Sequence, residues 1–409
     1  MHDVAIEAFR SRLHTWLACE APANGWDQPS AVDESEHDRL ARARACQKLI
    51  AEAGFAGITW PVEHGGQGLG VAEQIVFDQE TAHYNLPLTP LVITLGICGP
   101  ALLAMGTEAQ KLRHLRPLLT GEEMWCQLYS EPGAGSDIAG LSTRATRLDG
   151  GWAIDGQKVW TSGAANCAFG LLLARSNADV PKHRGLTMFI VDMALPGIDV
   201  RPLRQMNGSS RFNEVFFDGV ILADDAVVGE VDQGWRAATA MLMTERVSIG
   251  SGSAGRDAHE VAALIAAARR NDAIGRPSLR AALAAAYERE RIADLLGERV
   301  AGQVLAGRKP GPEGSLIKLV GTRRSQLAAQ LGVDLHGVAG VAWDPQGSAD
   351  ARWSNVMLAA PGLSIAGGTT EVQKNIIGER VLGLPREPQA TQPALPVQTS
   401  QSTSTGESR

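Results

Sequence analysis

The sequence predicts a multidomain α+β chain: an N-terminal helical bundle, a central antiparallel β-barrel or sandwich, and a C-terminal four-helix bundle. Three changes of texture predict it. Residues 4–122 carry apolar side chains at helical spacing. Between 123 and 232, short β-rich runs are separated by Gly, Pro and Asp turns without intervening helical periods, which disfavours a doubly wound parallel sheet. From 233 to 386, long Ala, Leu and Arg patterns return at spacings that suit antiparallel helices. Domain boundaries are therefore placed at 1–122, 123–232 and 233–386. Residues 387–409, rich in Pro, Gln, Thr and Ser, have little to bury and are expected to be a disordered tail.

In the first region, Leu40, Ala43, Cys46 or Gln47, Ile50 and Gly54 mark one helix face, with Gly54 and Pro61 as punctuation. The turn from Pro61 to Gly68 is glycine-rich but lacks the strand–helix frame and the Lys-Ser/Thr of a phosphate loop. Residues 84–107 contain no charge and are long enough to span a membrane. Pro87, Pro90, Gly96, Gly99 and Pro100 argue instead for two short buried helices joined by a turn. In the middle region, strands are expected at 151–156, 169–174, 186–191 and 212–217. In the last, helices are expected at 235–249, 257–270, 278–306 and 314–332, and Ile376, Ile377, Val381 and Leu382 close the final helix before Pro385.

A chain of 409 residues with 44% hydrophobic side chains can fill the cores of two or three domains. A net charge of -7 with scattered basic residues argues against nucleic acid or an anionic membrane surface as partner. Cys19, Cys46, Cys98, Cys126 and Cys167 are odd in number and form no Cys-x-x-Cys or Cys/His cluster, which predicts a reducing compartment and no structural metal. Met1 to Glu20 is charged throughout and lacks the apolar core of a signal peptide, so a cytoplasmic location is expected.

Three blocks carry chemistry. Residues 127–137 read Gln-Leu-Tyr-Ser-Glu-Pro-Gly-Ala-Gly-Ser-Asp, a structured turn in which Pro132 fixes φ. Gly133 and Gly135 there permit positive φ, so that backbone amides could converge on one acceptor. An ordinary loop is the competing reading. Residues 156–163 read Gly-Gln-Lys-Val-Trp-Thr-Ser-Gly, a strand ending in an aromatic and two hydroxyls, and residues 367–373 read Gly-Gly-Thr-Thr-Glu-Val-Gln. At these residues, in this order, the chain resembles the acyl-CoA dehydrogenase family, and the likeness runs from about residue 40 to Arg386.

The resemblance implies FAD-dependent α,β-dehydrogenation of an acyl-CoA thioester to a 2,3-enoyl-CoA. A base takes a proton beside the carbonyl, the flavin N5 accepts hydride, and an electron-transfer flavoprotein takes the electrons. Such a site needs fixed donors for an enolate oxygen and a dry carboxylate. Many members place that carboxylate at the position of Gly367, but Asp and Glu are absent from Pro361 to Thr370. A second group carries it on a C-terminal helix immediately before an Arg, which here is Glu245 before Arg246. Met241, Leu242, Ser248 and Ile249 lie three and four residues away, so Glu245 projects from a mostly apolar face that would raise its pKa. A surface glutamate with a distant ion pair is the alternative. Gly367 and Gly368, with Gly250, Gly252 and Gly255, would leave room for a branched, long or polycyclic acyl group, unless they serve close helix packing.

By the same resemblance, Leu128, Tyr129 and Ser130 face the flavin pyrimidine edge, Trp160 packs against the ring, and Ser162 lies near N5; Gly135, Ser136 and Thr161 complete this set. Trp152 is read as core. Ser136 and Arg246 correspond to thioester contacts, with Met241 and Gly368 on the substrate side and the Gly367 amide as half of the oxyanion hole. Thr369 and Glu371 match cofactor contacts at the last helix start, and Asp334 and Gly337 stand where a loop reaches a partner's FAD. One segment departs: the family's Arg-x-x-Phe-Gly is replaced by Arg269-Arg270-Asn271-Asp272-Ala273-Ile274-Gly275-Arg276. A homodimer or homotetramer is expected. The alternatives are a non-catalytic or half-active subunit of a heteromer, and an oxygen-using or carrier-bound-substrate flavoenzyme of the same fold.

Overall fold

The computed structural model describes residues 2–28, 34–239, 241, 260–308, 311–342 and 352–386. Five helices come first: α1 (His2–Asn24), α2 (Glu36–Glu52), α3 (Val71–Thr81), α4 (Gly99–Met105) and α5 (Glu108–Leu119). Helix α2 starts at Ser35, whose hydroxyl accepts the Asp38 N–H, and it buries Ala43, Cys46, Gln47 and Ile50, the face its periodicity marks. Helix α5 opens with a reciprocal cap between Thr107 and Gln110. Gln110 Nε2 then donates to the carbonyls of Asp225 and Val227 at 2.7 and 2.9 Å, which ties the helices to the sheet.

The uncharged stretch differs from two helices joined by a turn. Thr94–Cys98 forms a π turn that runs without a break into α4. The Thr94 hydroxyl accepts from Trp125 N at 2.9 Å and donates to Trp125 O at 3.2 Å, so a strand backbone satisfies groups that a separate helix end would have exposed. Among the described residues, no helix is long and apolar enough to cross a membrane.

The middle region is one eight-stranded sheet. Its strands are β1 (Trp125–Leu128), β2 (Arg144–Leu148), β3 (Gly151–Ser162), β4 (Phe169–Arg175), β5 (Leu186–Asp192), β6 (Ile198–Leu203), β7 (Phe212–Ala223) and β8 (Val227–Val228). The order is β6-β7-β3-β2-β4-β5-β8, with β1 also on β4. Pairing is antiparallel except along β4, where β1 pairs in parallel over 169–172 and β2 makes one parallel bridge at Arg175. Strands β1 and β2 thus follow one edge of β4 in the same direction, and the Glu-Pro-Gly turn interrupts what would otherwise be a single strand. Their shared direction with β4 is the reason the sheet is not wholly antiparallel.

Where β1 and β4 meet α5, Trp125, Phe169 and His114 pack ring to ring, with centroids 4.7–5.2 Å apart. A second core on the sheet contains Trp152, Phe189 and Phe217, so Trp152 is core as the sequence reads it. The last region contains α6 (Glu260–Arg270), α7 (Pro277–Leu305), α8 (Gly314–His336), α9 (Arg352–Leu363) and α10 (Thr370–Ile376). Leu264, Leu283, Leu331, Leu335 and Trp353 fill its core. Residues 234–239 begin the helix expected at 235–249. Residues 240 and 242–259, with Glu245, Arg246, Gly250, Gly252 and Gly255, lie outside the described residues, as does the tail 387–409.

Candidate active site

The first cluster of predicted residues sits where β1 ends and β3 ends. Leu128 and Tyr129 are buried, and Ser130 is half-buried, its carbonyl accepting Val159 N–H at 2.8 Å. The Tyr129 hydroxyl donates to Met241 Sδ at 2.7 Å, joining a predicted flavin-side residue to a predicted substrate-side one. Across from them, β3 loses register against β7 between Lys158 and Thr161. Trp160, inside this bulge, has φ +59°, a left-handed conformation that costs a bulky residue about 1–3 kcal/mol. It leaves the ring 61% exposed, with Phe212 edge-on at 6.0 Å. Strain spent on exposing a tryptophan points to a role for its face.

Beside it, two buried polar atoms have no partner among the described residues: Thr161 Oγ1 and Gln127 Nε2. Orphaned polar atoms next to an exposed aromatic fit a planar ligand with a polar edge, which is the shape of a flavin. The sequence missed Gln127. Alternation along the short β1 was the available signal, since this position is flanked by the buried Cys126 and Leu128.

The 131–137 turn is built differently from the expectation. Neither Gly133 nor Gly135 takes a left-handed φ, and a Cβ at either would meet nothing within 4 Å. The turn is closed instead by reciprocal 3.0 Å hydrogen bonds between the Glu131 and Ala134 backbones and by the Glu131 side chain. Glu131 accepts from Ser142 N at 2.6 Å, Ser142 Oγ at 2.7 Å and Thr143 N at 2.8 Å. It also accepts from Lys158 Nζ at 2.8 Å, and Lys158 donates to Tyr129 O at 3.0 Å. Burial alone would raise the Glu131 pKa, but the Lys158 charge and these hydrogen bonds outweigh it and hold the carboxyl at about 2. Burial pulls the Lys158 ammonium down to about 8 against the opposing pull of Glu131. The two shifts thus weigh burial and pairing differently. With four donors on the carboxylate and two acceptors on the ammonium, geometry favours the charged pair at neutral pH. Gly135 and Ser136 are exposed at the turn's tip, next to Asp137, which accepts from Lys182 Nζ at 2.7 Å. Ser162, half-buried, closes β3 opposite Phe212.

The second cluster is built on α8 and α10. Gly367 and Gly368 have φ +64° and +93°, which only glycine adopts readily. The fully buried Gln373 donates to Gly367 O at 2.9 Å and Gly368 O at 3.3 Å, and the buried Lys318 ammonium also donates to Gly368 O. With both carbonyls taken, no acceptor among the described residues meets the N–H of either glycine. A Cβ at Gly368 would stand 2.6 Å from Gln373 Nε2, so that glycine serves the loop itself and not spare pocket volume. Thr369 caps α10 through Val372 N–H, and with Glu371 it borders a cleft of about 250 Å³ whose other wall carries Arg323 and Gln326. Asp334 is exposed, accepting from Gln330 Nε2 at 2.9 Å, and Gly337 is exposed with φ +57°. Asp334 sits about 24 Å along α8 from Lys318, and Gly337 follows the end of that helix. In the departing segment, Asp272 takes φ +51° and a short 3-10 turn, Ala273–Gly275, replaces the family's Phe-Gly.

Helices, one mostly antiparallel sheet and helices again define the class of fold, a three-part α+β architecture. Family models for the acyl-CoA dehydrogenase N-terminal, middle and C-terminal domains match residues 7–122, 126–220 and 232–382. The chain belongs to the acyl-CoA dehydrogenase family. It is 37% identical over 394 residues to acyl-CoA dehydrogenase IpdE1 of Mycobacterium tuberculosis, covering 93% of this chain and 98% of that one. It is 40% identical over 345 residues to acyl-CoA dehydrogenase FadE34 of the same organism; these are 83% of this chain but only 46% of that one, so it spans about half of FadE34. Among solved structures, the Tcur3481-Tcur3483 steroid ACAD superposes with a TM-score of 0.78 at 27% identity, covering 94% of this chain and 98% of that chain.

Proposed function

We propose that the chain removes two hydrogens from adjacent carbons of an acyl-CoA thioester and yields the 2,3-enoyl-CoA. The observation that carries this is the strained, exposed Trp160 beside the Thr161 hydroxyl, which has no partner among the described residues, on a strand that Val159 N–H joins to Ser130 O. FAD, held by Trp160, Thr161, Ser162, Leu128, Tyr129 and Ser130, with Gly135, Thr369 and Glu371 as further contacts, supplies the hydride acceptor.

Ser136 and Arg246 orient the thioester, with Met241 and Gly368 on the substrate side. Glu245 takes the proton beside the carbonyl, because a carboxylate on an apolar helix face loses hydration and gains basicity. The Gly367 N–H, which meets no acceptor among the described residues, steadies the oxygen on which negative charge develops, while Lys318 and Gln373 engage the carbonyls of that loop. Electrons pass to an electron-transfer flavoprotein in the cytoplasm. A bulky polycyclic acyl group is the proposed substrate class, supported by the likeness to a structure titled a steroid ACAD.

The chain acts as an oligomer in which Asp334 and Gly337 approach the partner's cofactor. An unlike partner is the alternative to a second copy: the family resemblance implies an Arg-x-x-Phe-Gly segment where this chain forms the Ala273–Gly275 turn, and an unlike chain could supply that contact. The deciding experiment is anaerobic titration with a series of acyl-CoAs while the flavin absorbance is followed, in wild type and in Glu245→Gln. Wild type is expected to bleach and the variant to retain FAD without bleaching. Unchanged bleaching in the variant removes Glu245 from the base role.

A further inference from the structure

We infer that Lys158 and Glu131 are positioning residues: their buried ion pair sets the Tyr129–Ser130 edge and the Trp160–Thr161 bulge at the separation a flavin requires. The inference rests on the flavin reading of that site.

Three chain segments that are remote in sequence meet on this pair. Lys158 is 0% exposed within β3, and its ammonium reaches back to the carbonyl of Tyr129 and to Glu131. Glu131 holds the entry to β2 through Ser142 and Thr143. Next to the pair, Val159 N–H donates to Ser130 O, so backbone and side chains make the same crossing. An ion pair is a poor choice if cohesion were its only task, since apolar side chains of similar volume fill such a place at equal or lower free energy. What a charged, hydrogen-bonded pair adds is a fixed geometry, because its partners tolerate little displacement in distance or angle.

Its location gives that geometry a use. Lys158 is the last residue of β3 in register with β7 before the bulge, and Trp160 and Thr161 follow after Val159. On the opposite side, Tyr129 and Ser130 directly precede Glu131. The pair therefore clamps both lips of the site within one or two residues of the groups that would touch the flavin, without touching it. Loosening it would let the lips move apart while the sheet on either side stays paired.

The test is titration of apoprotein with FAD, followed by flavin fluorescence, in Lys158→Met, Glu131→Gln and the double variant, with the visible flavin absorption bands and the apoprotein Tm recorded alongside. Each single variant is expected to raise the FAD Kd at least about tenfold and to shift the flavin bands at temperatures where it is fully folded. The double variant is expected to be no worse than the worse single one, because one unit is lost in each case. Ser142→Ala removes one donor to the carboxylate from an exposed position, and it covers the case in which a buried variant fails to fold. It should raise the Kd about two- to fivefold. Wild-type Kd and bands in folded variants that lose only Tm would overturn the positioning role and leave the flavin site standing. A wild-type apoprotein that takes up no FAD would overturn both.

Discussion

From Phe9 to Met241, one contiguous core joins the N-terminal helices to the sheet, whereas the helices after Glu260 share a smaller core centred on Trp353. In the first region, Trp125 is enclosed by β1, α5 and β4, and Gln110 and Thr94 reach across to strand backbone. In the second, α7 runs for 29 residues and buries only Leu283 and Ala286, leaving Tyr287, Ile292, Leu295 and Leu305 exposed. The difference separates two ways of carrying a site. The sheet side holds Trp160 in a strained conformation because the surroundings are over-determined by buried polar crossings. The bundle side fixes the Gly367–Gly368 loop with two buried donors, Lys318 and Gln373.

The contrast can be broken or sharpened by substitution. The largest effect is expected for Trp125→Ala, which empties the junction of helices and sheet and should cost about 3–5 kcal/mol. Chemical denaturation followed by far-UV circular dichroism should show the N-terminal helices and the sheet melting together at lower denaturant; separate transitions for them would mean that the core is not one cooperative unit. A middle effect is expected for Gly332→Ala, where the added Cβ would stand 2.0 Å from the Trp353 ring. Overpacking of this kind costs about 1–3 kcal/mol. It should lower the melting temperature of the bundle while leaving FAD titration of the sheet-side site unchanged. The smallest effect is expected for Leu295→Asp, an exposed side chain of α7, at within about 0.5 kcal/mol. A larger loss in calorimetry, or a smaller particle mass by light scattering, would show that another chain covers this face.

Much of the frame was legible in the sequence because it is written in local spacing. The α2 face of Ala43, Cys46, Gln47 and Ile50 and the helices 260–270, 277–305 and 314–336 follow from side chains three and four residues apart. Short strands such as β1 and β8 gave too little alternation to read, and β2 and β6 were hidden among turns. The blocks at 127–137, 156–163 and 367–373 marked the site, but the sequence assigned the first of them to its glycines, and the fold assigns it to Glu131.

The amino-acid sequence by itself determined the longer helices, the strands with clear alternation, and the three blocks that mark the proposed site. Only the tertiary structure decided that β1 and β2 share one edge of β4, that Lys158 finds Glu131 across 27 residues, and that Lys318 reaches Gly368 across 50. The physical reason is range. Propensity and periodicity act between neighbours along the chain, while a buried charge is stabilised by whichever partner the completed packing brings within hydrogen-bond distance, and no local spacing encodes that partner.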